Sequence, residues 1–203
     1  TSIFFLDENQ KVALSDVGSE DEIRHWARIA GATVLVEDLQ SQFRCGGSDI
    51  YMAWLDHTLG IRETAHPTLD GSDYEFHVMN SPVELFDHLN DLNGSNSARV
   101  VAGYCYPWRS KNDSKAMDIV FPEFDFAKQW NLASDGSTWI AQPHSIAQIG
   151  CIHTCQGLEV DHIGVIIGRD LVYRNNRVQT DFTRRDRHDK TMKGAKSMVK
   201  VNP

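Results

Sequence analysis

The densest run of reactive side-chain types in this sequence is Gly150-Cys151-Ile152-His153-Thr154-Cys155-Gln156-Gly157-Leu158-Glu159. It brings two thiols, an imidazole, a hydroxyl, an amide and a carboxylate into a short polar stretch between the apolar runs 146–152 and 162–167. A polar turn between two such runs falls at the mouth of a parallel sheet, where ligands of open α/β folds bind. Two chemistries are open to it on residue type alone. Cys151-x-His153-x-Cys155 has zinc-type donors, but alternate strand residues face one way and no fourth ligand follows nearby in the chain. Cys155 as a reactive thiolate is the other, with a buried, inert cysteine as its alternative.

Two further groups carry chemistry elsewhere. Tyr104, Tyr106 and Trp108 alternate along the chain; such a set either stacks exposed bases or packs into a core. From Arg184 to Lys200, seven basic residues face only Asp186 and Asp189, which makes either a solvated tail or a segment that contacts phosphates.

The elements that position these residues are legible from periodicity. Ile3-Phe4-Phe5-Leu6, Ala32-Thr33-Val34-Leu35-Val36, Tyr74 to Met79 and Arg99 to Tyr104 read as strands. Between them lie helical stretches with start signals. Ser19 with Glu22 forms a capping-box pattern ahead of Ile23, Trp26 and Ala30. Ser48 or Asp49 caps a helix through Tyr51, Trp54 and Leu55, and Ser81-Pro82-Val83-Glu84 opens a helix to about Leu92. Two more strands fall at 146–152 and 162–167, and residues 177–182 pair as a hairpin with 171–173. Periodicity weakens over 107–143, where Trp108, Trp130 and Trp139 stand among polar residues and the elements are not assigned; if the segment is an insertion covering one edge of the sheet, the tryptophans are its packing anchors. Alternating strands and helices predict an α/β fold, with a mainly parallel sheet and helices on both faces.

Composition agrees with a single sizeable globular domain. The chain has 203 residues, 41% hydrophobic and 24% charged, with 20 basic and 28 acidic side chains for a net charge of −8, outside the compositional range of disorder. The charge is divided unevenly: residues 1–92 hold 5 basic and 17 acidic residues, and residues 93–203 hold 15 and 11. No run reaches the roughly 18 apolar residues of a membrane span, and the start lacks the signature of a signal peptide. The chain is therefore read as soluble and cytoplasmic, with no membrane partner. Its four cysteines read as reduced thiols rather than a disulfide framework.

His153-Thr154-Cys155-Gln156-Gly157-Leu158-Glu159 followed by Ile163 to Gly168 resembles motif V of superfamily-one DNA/RNA helicases, roughly H-x-x-[KQ]-G-L-E before an apolar strand. Upstream, Ile3 to Gln10 is similar to motif III, an apolar strand ending in D-x-x-Q. Leu39-Gln40-Ser41-Gln42-Phe43-Arg44 is similar to motif IV, L-x-x-[NQ]-[YF]-R. With Gly103-Tyr104-Cys105-Tyr106-Pro107-Trp108 and Gly150 to Thr154, the set most resembles the Schlafen-type DNA/RNA helicase-like family of P-loop proteins, over about residues 1–167. The sequence departs from the general pattern at Leu6, where glycine is usual, at Cys151, where many helicases have threonine, and at Gln156, where lysine is commoner. No G-x-x-x-x-G-K-[ST] phosphate loop occurs.

The resemblance implies the second RecA-like lobe of a motor, a three-layer domain over residues 1–183 with the 107–143 insertion, followed by a basic tail at 184–203. It implies that Gln10 and Arg44 act on the ATP γ-phosphate as catalytic groups, and that Gly157 and Glu159 face the nucleotide. His153, Thr154 and Gln156 lie against the nucleic-acid backbone. A guanidinium fork suits spreading phosphoryl charge, and a neutral amide can report its presence. ATP and Mg2+ would be held mainly by an N-terminal RecA-like lobe, the partner this piece lacks. The other partner would be single-stranded DNA or RNA. The piece alone is expected to bind no cofactor tightly, hold no metal and hydrolyse nothing. Two alternatives stand beside the motor: a degenerate lobe that serves as a nucleic-acid or protein interaction module, and a metal- or thiol-dependent enzyme at Cys151, His153 and Cys155.

Overall fold

Short runs of valine, isoleucine and alanine, too apolar to leave a face in water, make the centre of the fold. A computed structural model describes residues 1–7, 18–38, 49–132, 134–155, 157 and 159–193. The strands among them are β1 (Ala98–Ala102), β2 (Ile119–Phe121), β3 (Phe126–Lys128), β4 (Ile149–Cys151), β5 (His162–Ile166), β6 (Leu171–Arg174) and β7 (Arg177–Thr180). The helices are α1 (Glu20–Ile29), α2 (Asp49–Thr58), α3 (Pro82–Leu92) and the single turn α4 (Ile152–Cys155). The chain forms two compact units, residues 1–41 with 187–203 and residues 42–186. The fold is mixed α/β, built on a small three-stranded parallel sheet packed against helices.

In the larger unit β1 is central, with β4 and β5 parallel on either side; Val100 is in register with both Ile149 and Gly164. Ala98, Val100, Ala102, Ile149, Cys151 and Ile166 are buried together with Phe86 and Leu89 of α3. A Cβ on Gly164 would come within 2.6 Å of Leu89 Cδ1 and 2.8 Å of Leu85 Cδ1, so glycine there sets how closely α3 lies on β5. The start of α3 follows its sequence signal: the Ser81 hydroxyl accepts from the Glu84 amide at 3.1 Å, and Pro82 occupies the first turn. The Asn80 amide, rather than that of Ser81, donates to the Glu84 carboxylate at 2.8 Å.

The opposite face is met differently from expectation. Trp139, in a 3-10 segment over Gly136–Ala141, and Cys155 of α4 lie over Gly150, while Ile163 and Val165 of β5 remain about half exposed. Arg99 is buried on the central strand and donates to Asn96 Oδ1 at 2.8 Å, to the Ala98 carbonyl at 2.6 Å and to the Ile140 carbonyl. Its guanidinium lies 5.9 Å from the Trp139 ring centre, and burial lowers its pKa from the usual arginine value. Carbonyl oxygens, not a carboxylate, solvate this buried cation.

The insertion runs along the outer edge of β4, as its tryptophans suggest. Trp130 bridges Ile149 in parallel, the Asn131 amide donates to the Ile149 carbonyl at 2.8 Å, and the Ile149 amide donates to Gln129 at 2.9 Å. The buried Asp118 carboxylate accepts from the Ser110 and Trp130 amides, both at 2.8 Å. Trp130 and Trp139 are buried.

Three expected strands do not form. Residues 3–6, 32–36 and 74–79 join no ladder, and Phe5, Leu35 and Val78 are exposed. An apolar run specifies burial, but it does not name the neighbour that completes its hydrogen bonds. For 74–79 the competing contacts are visible: Tyr74 stacks on Tyr51 at 3.9 Å and Phe76 meets Trp54 edge-on at 4.9 Å, so the segment pairs with α2 through rings. In the smaller unit α1 carries the full capping box: Ser19 Oγ accepts from the Glu22 amide at 3.2 Å, and the Ser19 amide donates to the Glu22 carboxylate at 3.1 Å.

Candidate functional site

Parallel strands point their carboxyl ends the same way, so three chain segments leave the sheet along one edge: Gly103 to Cys105 after β1, α4 after β4, and Ile167 to Asp170 after β5. The β4 segment has the tightest exit. Asn131 Oδ1 accepts from the Cys151 amide at 3.0 Å and lies 3.1 Å from Thr154 Oγ1, and Thr154 Oγ1 donates to the Cys151 carbonyl at 2.7 Å. One buried amide side chain thereby fixes the first turn of α4 against the edge of the insertion. No local pattern marks Asn131, which lies 20 residues before Cys151, and only the folded chain brings the two together.

His153 is half-buried, and its ring meets Tyr104 edge-on at 6.0 Å. Tyr104 in turn packs edge-on against Trp108 at 6.0 Å and Trp130 at 6.2 Å. The alternating aromatic set therefore packs as a layer around Trp130, the core alternative rather than base stacking. Gly157 and Glu159 are exposed beyond α4, and Gly157 has φ +83°, a left-handed conformation that side chains resist. Gln10, Arg44 and Gln156 lie outside the described residues. His153 and Thr154 are thus together on α4, with Gly157 and Glu159 following on the solvent side.

Burial disfavours the thiolate at two of the cysteines, Cys105 and Cys155. Burial, the largest effect, and the neighbouring Cys151 push Cys155 up to about 11, against a lowering hydrogen bond from Thr154. Cys105 is pushed up to about 12 by burial and then by its hydrogen bond to Asp170 and that residue's charge, while Asp170 also pairs with Arg185 at 3.3 Å. Both thiols hold their protons more tightly folded than unfolded. The associated stability is present at neutral pH and is lost as pH rises from the usual thiol range, about 8.5, through 11 to 12. Iodoacetamide at pH 8 is expected to leave Cys105 and Cys155 largely unmodified in the native protein and to label both in denaturant, as read by peptide mass mapping. Rapid native labelling of Cys155 would restore the thiolate chemistry. Among the described residues no three His, Cys, Asp or Glu side chains gather to hold a metal, so Cys151, His153 and Cys155 do not form a ligand set.

The sequence model of the Schlafen group 3 DNA/RNA helicase domain matches residues 1–202. The chain belongs to this family. No curated protein and no solved structure matches it. As a Schlafen group 3 helicase domain, the chain carries helicase-type nucleic-acid function and nucleoside triphosphate use by family implication. Among the described residues, no helix of this Schlafen domain is long and apolar enough to cross a membrane.

Proposed function

We propose that residues 1–183 act as the second, RecA-like motor lobe of a superfamily-one-type DNA/RNA helicase or nucleic-acid-stimulated ATPase, followed by a basic segment at 184–203. The observation that carries this reading is the seat of the His153 to Glu159 run: it follows β4 directly, at the carboxyl end of the parallel sheet, and β5 begins three residues after Glu159. Helicase-family membership gives that position its meaning.

In this reading His153, Thr154 and Gln156 meet the nucleic-acid backbone, and Gly157 and Glu159 face the nucleotide, with Glu159 near the ribose. Gln10 senses the γ-phosphate and Arg44 stabilises the charge that spreads over it in transfer. The sequence has no G-x-x-x-x-G-K-[ST] loop, so the triphosphate and Mg2+ are held mainly by a first RecA-like lobe, and opening and closing of the two lobes alternately grips and releases a strand. The deciding experiment measures ATP turnover by the complete polypeptide that carries this domain, with and without single-stranded DNA or RNA, beside residues 1–203 alone. Strand-stimulated turnover in the first and none in the second is the expected result. Strand binding without any turnover would replace the motor by an interaction module, and turnover by residues 1–203 alone would overturn the lobe assignment.

A further inference from the structure

Beyond Gly168 the chain enters Arg169 and then the antiparallel hairpin of β6 and β7. Its turn is the dipeptide Asn175-Asn176, with φ +53° and φ +62°. A two-residue loop with both central residues left-handed matches the twist of the flanking strands and locks their register. That register sets Arg174 directly opposite Arg177, and Val172 opposite Gln179. Cross-strand partners project to the same side, so both guanidinium groups stand on one face of the ribbon. Like charges directly opposite one another destabilise a ladder, and a tight Asn-Asn turn leaves the pair no shift of register by which to separate.

The same side of the hairpin borders an open groove of about 580 Å³, lined among others by Arg169, Arg174, Gln179, Thr180, Asp181 and Arg184. Its one carboxylate is already engaged: Asp181 accepts from the Thr183 amide at 3.0 Å and from its hydroxyl at 2.5 Å, and pairs with Arg184 at 3.5 Å. Asp170 is taken by Arg185. Among the described residues Arg169, Arg174 and Arg177 have no ion-pair partner. A chain with net charge −8 thus collects uncompensated arginines on one ribbon, beside amide and hydroxyl side chains that can hydrogen-bond an anion. Cations strung along an open groove suit an extended polyanion better than one enclosed phosphate.

We propose that the β6–β7 hairpin binds the phosphate backbone of a nucleic-acid strand through Arg169 and Arg174, which line the groove, and Arg177, which stands opposite Arg174 at the turn, as a second contact on the sheet edge that carries α4. The proposal rests on the nucleic-acid-binding reading above and extends it to residues outside the motif-V-like run. A bound phosphate chain neutralises the opposed Arg174 and Arg177, which turns a repulsion in the free hairpin into a bridge in the complex.

The test uses the whole chain and fluorescently labelled oligo-dT and oligo-U of about 16 nucleotides, with affinity followed by anisotropy over a salt series. For Arg174→Gln with Arg177→Gln the expected result is about tenfold weaker binding at low salt, with the slope of log affinity against log salt shallower by about 1.4, near 0.7 for each lost phosphate contact on a single strand. The paired lysine variant, Arg174→Lys with Arg177→Lys, should retain most of that slope. The melting temperature of the glutamine variant should stay level or rise, because a like-charge opposition has been removed; a fall would assign the arginines to folding and overturn the proposal. Strand binding by the unaltered chain that matches the glutamine variant in affinity and slope would also overturn it, with the nucleic-acid reading left standing. Failure of the unaltered chain to bind either strand would remove that reading and the groove assignment with it. Displacement of the strand by polyglutamate at equal charge concentration would make the groove a general anion site, which also overturns the assignment.

Discussion

Trp130→Ala is expected to destabilise the larger unit by about 3–5 kcal/mol, the range for removing a fully buried large aromatic. Trp130 is completely buried, and Trp108, Tyr104 and Tyr106 surround it with ring centres 5.8, 6.2 and 6.3 Å away. Its indole N–H donates to the Tyr106 carbonyl at 3.4 Å, and its own backbone links the Asp118 carboxylate to the edge of β4. Alanine keeps the backbone links and removes the ring, so the cost is mainly lost apolar burial plus whatever cavity the neighbouring rings fail to fill. Urea denaturation followed by far-UV circular dichroism gives the number. A loss below about 1 kcal/mol would mean that the aromatic layer collapses readily, contrary to the close packing that interiors show. The functional consequence follows from the order of contact: His153 rests on Tyr104 and Tyr104 on Trp130, so a loosened layer should also broaden the position of the imidazole on α4.

That chain of support explains which parts of the molecule were legible in the sequence. Local chemistry is legible in the sequence because it acts over a few residues. Ser19 with Glu22, and Ser81 with Pro82 and Glu84, name their helix starts, and the expected pairing of 171–173 with 177–182 forms as β6 and β7. The three parallel strands are legible too, since each is an apolar run with little polar interruption. Segments 3–6 and 32–36 are apolar in the same way, and 74–79 alternates its apolar residues with Glu75 and His77, yet none of the three joins a ladder. For the last, aromatic contacts with α2 claimed the side chains that a sheet would otherwise have covered.

The site was legible as a run of residues but not as an arrangement. His153, Thr154, Gly157 and Glu159 follow one another after β4 as their spacing implies. What holds the turn, Asn131, comes from the insertion, and Asp170, which adds to burial in holding Cys105 protonated, comes from beyond β5. Contacts of that sequence separation leave no periodic trace. The same holds for Arg99: a basic residue inside a strand pattern suggests a surface position, yet carbonyl oxygens from the turn before β1 and from the 3-10 segment at Ile140 take it into the interior.

Gly150→Val provides the sharpest test of how the β4 to α4 exit is built. A Cβ at this position would sit 2.6 Å from Cys155 Sγ and 2.7 Å from Trp139 Cη2, well inside van der Waals contact. Trp139 cannot swing aside cheaply, because it is buried and its indole N–H donates to Gln148 Oε1 at 2.8 Å. Cys155 is held in the single turn of α4, whose start Asn131 pins. Overpacking of this kind costs about 1–3 kcal/mol and occasionally more; with two obstructed directions, valine should lie at or above the top of that range and alanine within it. Thermal and urea unfolding give the totals, and a double-mutant cycle with Cys155→Ala identifies the source. If the sulfur is the obstacle, the alanine variant at 150 should lose a substantial part of its penalty when Cys155 is also alanine, a coupling expected only for residues in contact. Strict additivity would place the strain on Trp139 instead. A neutral Gly150→Val would mean that α4 and the tryptophan do not close on β4 as described, and the geometry that supports His153 and Thr154 at the sheet edge would fall with it.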